Sequence, residues 1–299
     1  MTYKSGYVAL LGRPNVGKST LMNALVGEPV AIVTSKPQTT RNKILGIKTL
    51  PQGQILFLDT PGLHKPHREL NEYMMKTVEH VVADADIFVY VIEATRGILD
   101  EDRDMLTRLR SIKKPLVIVI SKADLAGLSE INELSKLCVQ DFQPVDILST
   151  NALARRGIEK LEEILLQVLP EGPPYYAKDI FTDQNYRDLA CEIIREKAFE
   201  LLRQEVPYSL VVSLEDYREP REGEKVTRIE ATIVVERESQ KGIVIGVGGL
   251  MIKKIGEKAR KKIEDLIGSR VFLGLKVIVD KDWSHSEAKL KKYGYISSR

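Results

Sequence analysis

The chain has 299 residues, enough for about two domains of ordinary size, and its 43% hydrophobic and 29% charged residues supply a core for each, which excludes disordered and collagen-like classes. The balance of 45 Lys and Arg against 42 Asp and Glu leaves a net charge of +3, too near zero to imply a polyanionic partner by itself. The longest apolar runs, such as Ile87–Ile92 and Leu116–Ile120, fall far short of the ~18 residues that span a bilayer, no secretory segment opens the chain, and the lone Cys138 and Cys191 support neither a disulfide framework nor a zinc site. A reducing cytoplasm is the expected setting.

The first 170 residues alternate strand-like and helix-like segments. Tyr7–Leu11 is a short apolar run ending in glycine, and Ser19–Leu25 reads as a helix stopped near Gly27. Lys43–Leu50 and Gln54–Leu58 are strands joined by Pro51-Gln52-Gly53, a link so short that the pair is antiparallel. Further strands at Ile87–Ile92, Leu116–Ile120 and Val145–Thr150 alternate with helices at Glu101–Leu109 and Ile158–Leu169. That order predicts an α/β domain over residues 1–170, with a mostly parallel sheet and one antiparallel strand.

Pro170-Glu171-Gly172-Pro173-Pro174 neither continues a helix nor enters a sheet, so residues 171–184 read as a linker. Residues 185–299 follow a different order: helix Asp188–Arg203, strands Tyr208–Leu214 and Thr227–Glu236, a short segment ending at Gly246, helix Leu250–Ile267 and strand Val271–Val279. This is an α+β pattern. Between Lys241 and Lys262 seven basic residues meet a single acidic one, Glu257. Such a cluster is either a footprint for a polyanion or a solvated helix face.

Gly12-Arg13-Pro14-Asn15-Val16-Gly17-Lys18-Ser19 matches G-x-x-x-x-G-K-[ST] between a strand and a helix. The glycines let backbone N–H groups from Gly12 to Thr20 curl toward phosphate oxygens, and the helix N-terminus favours negative charge. In this motif Lys18 neutralises β- and γ-phosphates and Ser19 holds Mg²⁺. Asp59-Thr60-Pro61-Gly62 ends an apolar strand, placing the Asp59 carboxylate to hold Mg²⁺ through water and the Gly62 N–H to face the γ-phosphate. Ser121-Lys122-Ala123-Asp124 ends another. There the Asp124 carboxylate can accept two N–H bonds from guanine and reject adenine, with the stem of Lys122 covering the base, or the pair is a solvated turn at a strand end.

These three motifs, in this order on successive strand ends, resemble a translation-factor-class GTPase domain. The resemblance makes Thr39-Thr40-Arg41 the first switch segment, with Thr40 the Mg²⁺ ligand that senses the γ-phosphate. It departs from the family in having Ser121 where the family has asparagine, and Asn151-Ala152 where it has serine and alanine; the Ala152 N–H still suits the guanine carbonyl. Related switch proteins carry a water-orienting glutamine after D-T-P-G, where this chain has Leu63, which implies slow intrinsic hydrolysis or another device. Asn15 resembles the position that helps hold K⁺ in cation-dependent GTPases, and equally suits a turn.

Gly246-Val247-Gly248-Gly249 inside the α-β-β-α-α-β order, followed by Lys253, Lys254 and Lys258, resembles the G-x-x-G loop of a type II KH domain, which clamps about four nucleotides. Family members often carry lysine where this chain has Val247-Gly248, which shifts the grip to backbone N–H groups and to Lys253 and Lys254. From end to end, including Asp282-Trp283-Ser284 and the basic tail Lys289–Lys292, the chain resembles the bacterial ribosome-assembly GTPases. That implies GTP and GDP binding, contact with small-subunit rRNA near its 3′ end, a part in small-subunit maturation, a monomer, and peripheral contact with the inner membrane. An RNA-binding factor with a nearly silent nucleotide site is the alternative. Trp283 is open between a surface contact and a packing role.

Overall fold

The computed structural model describes residues 2–34, 36, 39–62, 69–203, 205–221 and 223–295. The chain divides into two compact units: the first takes most of the chain up to Asp183, and the second takes Gln184 onward together with Thr34, Lys36, Thr39 and residues 69–73.

In the first unit, β1 (Lys4–Leu11), β2 (Ile44–Leu50), β3 (Gly53–Asp59), β4 (Ile87–Glu93), β5 (Leu116–Ser121) and β6 (Asp146–Ser149) form one sheet in the order β2-β3-β1-β4-β5-β6. All pairs are parallel except β2 with β3, whose register closes at Leu50 opposite Gly53 around the predicted tight turn. The central strands are buried along almost their whole length because helices cover both faces. On one face Val8 and Leu10 pack with α1 (Lys18–Val26) and α5 (Ile158–Val168); on the other Ala9 and Leu11 pack with α2 (Glu69–Asp84), α3 (Asp100–Ser111) and α4 (Leu128–Phe142). β1 lies between β3 and β4, so the loop after it opens where the connections diverge, the ordinary ligand crevice of such sheets.

The expected linker is not a free spacer. Gly172 N donates to Tyr3 O, Gln54 Oε1 accepts from Tyr175 N and Tyr176 N, Ile47 N donates to Phe181 O, and Thr182 Oγ1 donates to Leu45 O. Phe181 packs on the first core. Residues 171–183 thus complete the first unit, because edge strand β2 leaves backbone groups that an adjacent extended segment satisfies.

The second unit contains α6 (Tyr186–Leu201), β7 (Val211–Arg218), β8 (Val226–Val235), α7 (Glu238–Ile245), α8 (Leu250–Ile267), β9 (Arg270–Val279) and a short α9 (Glu287–Lys292) that periodicity did not predict. Asn185 caps α6 by accepting from Asp188 N. β7 and β8 are antiparallel, whereas β8 and β9 are parallel, as a crossover through α7 and α8 requires. The core formed by Ile194, Phe199, Ile229, Ile233, Ile255 and Ile263 is its own. Trp283 is a packing residue: it is fully buried, its Nε1 donates to Ser209 O, and it stacks on Tyr295.

Candidate nucleotide site and nucleic-acid face

The phosphate loop turns on two glycines with positive φ. Gly12 sits at φ 139°, and a Cβ there would lie 2.5 Å from Val91 O; Gly17 sits at φ 100°. Val16 sends its side chain into the core, so only its backbone faces the loop. Lys18 is buried, and its Nζ donates to Gly12 O and Arg13 O, both at 2.9 Å. Burial pulls its pKa down to about 8, against the raising influence of Asp59 and Asp102.

Arg13 departs from expectation. Its side chain turns away from the loop's concave face: Nε donates to Asp102 Oδ2 at 2.7 Å and NH2 donates to Gly97 O at 3.1 Å. Asp102, fully buried, also accepts from Tyr90 OH and from Leu99 N at the start of α3. The guanidinium braces the loop from behind, which leaves only the backbone of Arg13 to the loop itself.

Three oxygen donors from distant parts of the chain converge beside Lys18. Ser19 Oγ donates to Asp59 Oδ2 at 2.6 Å, Thr40 Oγ1 donates to the same oxygen at 3.1 Å, and the two hydroxyls are 3.0 Å apart. Burial pushes the Asp59 carboxyl up, while Lys18, Ser19, Thr40 and the Thr60 N–H oppose it. A set of two hydroxyls and one carboxylate, all oxygen, fits a hard cation such as Mg²⁺. Thr39 does not join them; its hydroxyl donates to Lys36 O and pairs with Thr34. Thr60 anchors this turn through Leu10 O, and Gly62 lies so close to the loop that a Cβ would stand 2.6 Å from Pro14 Cα. Leu63 lies outside the described residues.

The base end meets the phosphate loop directly. Ser121 Oγ donates to Val16 O at 2.5 Å, with Ile92 O at 3.2 Å as its alternative acceptor, so this hydroxyl is committed to backbone rather than open to a base. Lys122, at φ 53°, donates from Nζ to Asn15 O at 2.8 Å, and Asn15 itself sits at φ 63°. Ala123 N donates to Thr150 O, and Asp124 is exposed at the carboxyl edge of the sheet. Asn151 Oδ1 accepts from Ala154 N, closing a local turn, and Ala152 packs on the core.

In the second unit Gly246, Gly248 and Gly249 have φ of 73°, 58° and 79°. A Cβ on Gly246 would approach Met251 Cβ to 2.6 Å, whereas Gly248 and Gly249 face open space. Val247 is exposed at the tip. Lys253 and Lys254 are exposed on the first turn of α8. Lys258 lies 4.0 Å from Glu200, and Lys262 pairs at 2.7 Å with buried Glu196, so the lower half of the basic run is partly neutralised internally. Sequence reasoning missed the groove between α8 and the open sheet edge β9, about 600 Å³; Ile252, Gly256, Arg260, Leu273 and Leu275 line it. The glycine inside the otherwise helical run was its one signal.

A phosphate loop, a hydroxyl–carboxylate cluster and a base-end motif on one sheet define a P-loop GTPase domain, and the glycine loop before a basic helix defines a KH domain. Residues 7–122 match the family described as 50S ribosome-binding GTPase, and residues 205–284 match the KH domain. GTPase Era of Carboxydothermus hydrogenoformans is 41% identical and that of Caldanaerobacter subterraneus subsp. tengcongensis 43% identical, each over 295 residues covering 99% of both chains. A crystal structure of Era in complex with MgGDPNP and nucleotides 1506–1542 of 16S ribosomal RNA is 36% identical, with a TM-score of 0.94 over 98% of this chain and 99% of that one. A single-substitution variant of Aquifex aeolicus Era bound to GDP and AlF4⁻ is similar at 36% identity and a TM-score of 0.93, with the same coverage. The chain belongs to the Era family of GTPases.

Proposed function

We propose that this protein is a GTP-binding and GTP-hydrolysing switch that engages small-subunit ribosomal RNA near its 3′ end and acts in small-subunit maturation. The observation that carries the reading is the convergence of Ser19, Thr40 and Asp59 beside buried Lys18. Thr40 comes from a segment far from the phosphate loop in sequence, so its hydroxyl can report what occupies the γ-phosphate position. Backbone N–H groups of the loop and Lys18 would hold the phosphates, and Asp124 with the Ala152 N–H would read guanine. Ser19, Thr40 and, through water, Asp59 would hold Mg²⁺, which supplies charge neutralisation at the β- and γ-oxygens. A related Era bound to MgGDPNP and 16S rRNA supports both ligands.

For RNA, Gly246, Val247, Gly248 and Gly249 would admit the sugar-phosphate chain against backbone, Lys253 and Lys254 would pair with phosphates, and the groove between α8 and β9 would take the bases. The test is GTP turnover with and without a 3′-terminal small-subunit rRNA fragment, beside direct titration of that fragment. Turnover that responds to RNA is the expected result; RNA binding with no turnover would instead leave an assembly factor with a silent nucleotide site.

The monovalent cation belongs to the same proposal. Exposed Asn15, held at φ 63° in the loop, would help to hold K⁺ near the transferring phosphate. Hydrolysis should then be faster in K⁺ than in matched Na⁺, and equal rates would remove Asn15 from this role. The proposal also takes the protein as a cytoplasmic monomer whose membrane contact is peripheral. Among the described residues no helix is long and apolar enough to cross a membrane.

A further inference from the structure

The end of β4 carries none of the nucleotide motifs, yet it supplies a carboxylate to the base end. Glu93 is the last residue of β4 and stands in register with Ser121, the last of β5. Its side chain is about one-tenth exposed, and Oε2 lies 3.0 Å from Lys122 Nζ. Oε1 accepts from Thr95 Oγ1 at 3.1 Å, and Arg96 Nε stands 3.8 Å from Oε2. The same Lys122 ammonium donates to Asn15 O, so one side chain ties the end of β4 to the phosphate loop.

We propose that Glu93 is a positioning residue of the nucleotide site, acting through Lys122. The proposal rests on the nucleotide reading above. A lysine side chain carries four rotatable bonds, and its hold on a loop carbonyl is lost whenever it samples another rotamer. A largely buried carboxylate removes that freedom before the nucleotide arrives, which keeps the lysine stem over the base position and the Asn15 carbonyl turned inward. Burial pushes the Glu93 carboxyl up, but the hydrogen bond and charge of Lys122, with Thr95 and Arg96, outweigh it and hold the group below its ordinary range. The carboxylate is therefore ionised at neutral pH. Lys122 also adopts a left-handed backbone that a β-carbon resists, so the site spends conformational energy to put this side chain where Glu93 and Asn15 O meet it.

The test uses the full chain and the release of a fluorescent GDP analogue. Glu93→Gln keeps the shape and an acceptor for Thr95 while removing the charge. Release should quicken about tenfold, the worth of one charge-assisted hydrogen bond, with association nearly unchanged. GTP and ITP should weaken by the same factor, since Glu93 does not touch the base edge. In a Lys122→Met background, Glu93→Gln should have no further effect. Unaltered release in Glu93→Gln would overturn the proposal, as would a full loss that persists in the Lys122→Met background, because Glu93 would then act independently of the lysine. Failure of the unaltered chain to bind GDP would overturn the nucleotide reading itself.

Discussion

Lys18 and Asp124 show how much one side chain's surroundings decide. With its pKa near 8 in the fold, Lys18 binds fewer protons than in the unfolded chain between about pH 8 and 10.5, so its burial penalty fades, and stability rises, as pH climbs through that window. Triphosphate beside Nζ favours the ammonium and returns the proton. GTP binding at about pH 8.5 should therefore take up protons, and at pH 7 the Lys18 share should be small. Calorimetry in buffers of different ionisation enthalpy measures this, and a binding enthalpy at about pH 8.5 that does not change with the buffer would remove Lys18 as the site of uptake. Asp124→Asn should weaken GTP and improve xanthosine triphosphate, because xanthine places a carbonyl where guanine has its amino group. Retained GTP preference in competition binding would take Asp124 out of the base-reading role.

The glycine loop and α8 act as one element. Gly249 precedes α8 in the left-handed region, open to solvent. Gly249→Asp should nearly abolish RNA binding with GTP affinity intact, since the side chain blocks close backbone approach and its carboxylate occupies the positive end of the helix. Aspartate tolerates positive φ better than most residues, so the cost to the fold should be about 1 kcal/mol. Unchanged RNA affinity would make the loop a structural turn only. Lys253→Ala with Lys254→Ala should weaken binding in a graded way, and each lost phosphate contact should flatten the salt slope by ~0.7. The order of strands and helices was legible from periodicity, because each buries its own apolar stripe. The short α9 was not: its six residues carry too few apolar positions to show a period, and contacts from elsewhere hold it, including Lys289 and Lys292 on Asp280.

At the scale of the molecule the last stretch of the second unit begins at Gln184, beside the expected start at 185, and residues 171–183 belong with the first unit. A fragment of residues 1–183 should be more stable than one of residues 1–170 by a few kcal/mol, at ~1 kcal/mol for each hydrogen bond lost from Leu45, Ile47 and Gln54 together with the burial of Phe181. Denaturant midpoints of the two fragments measure the difference; equal midpoints would return residues 171–183 to the status of a spacer.

The sequence by itself determined the two-unit plan, the alternation that makes the first sheet parallel, and the positions of the phosphate, D-T-P-G, base-end and glycine-loop motifs. These are legible because they depend on residues adjacent in the chain: a glycine's allowed φ, a turn's length, an apolar period. Tertiary structure alone decided that Arg13 turns to Asp102, that Ser121 is spent on Val16 O, that Glu93 meets Lys122, that Lys262 is neutralised by Glu196, and that Trp283 is core. Each of those outcomes is a choice of partner across tens of residues. A charge or hydroxyl leaving water needs a counterpart, and which counterpart it finds depends on which strand ends the sheet order brings side by side.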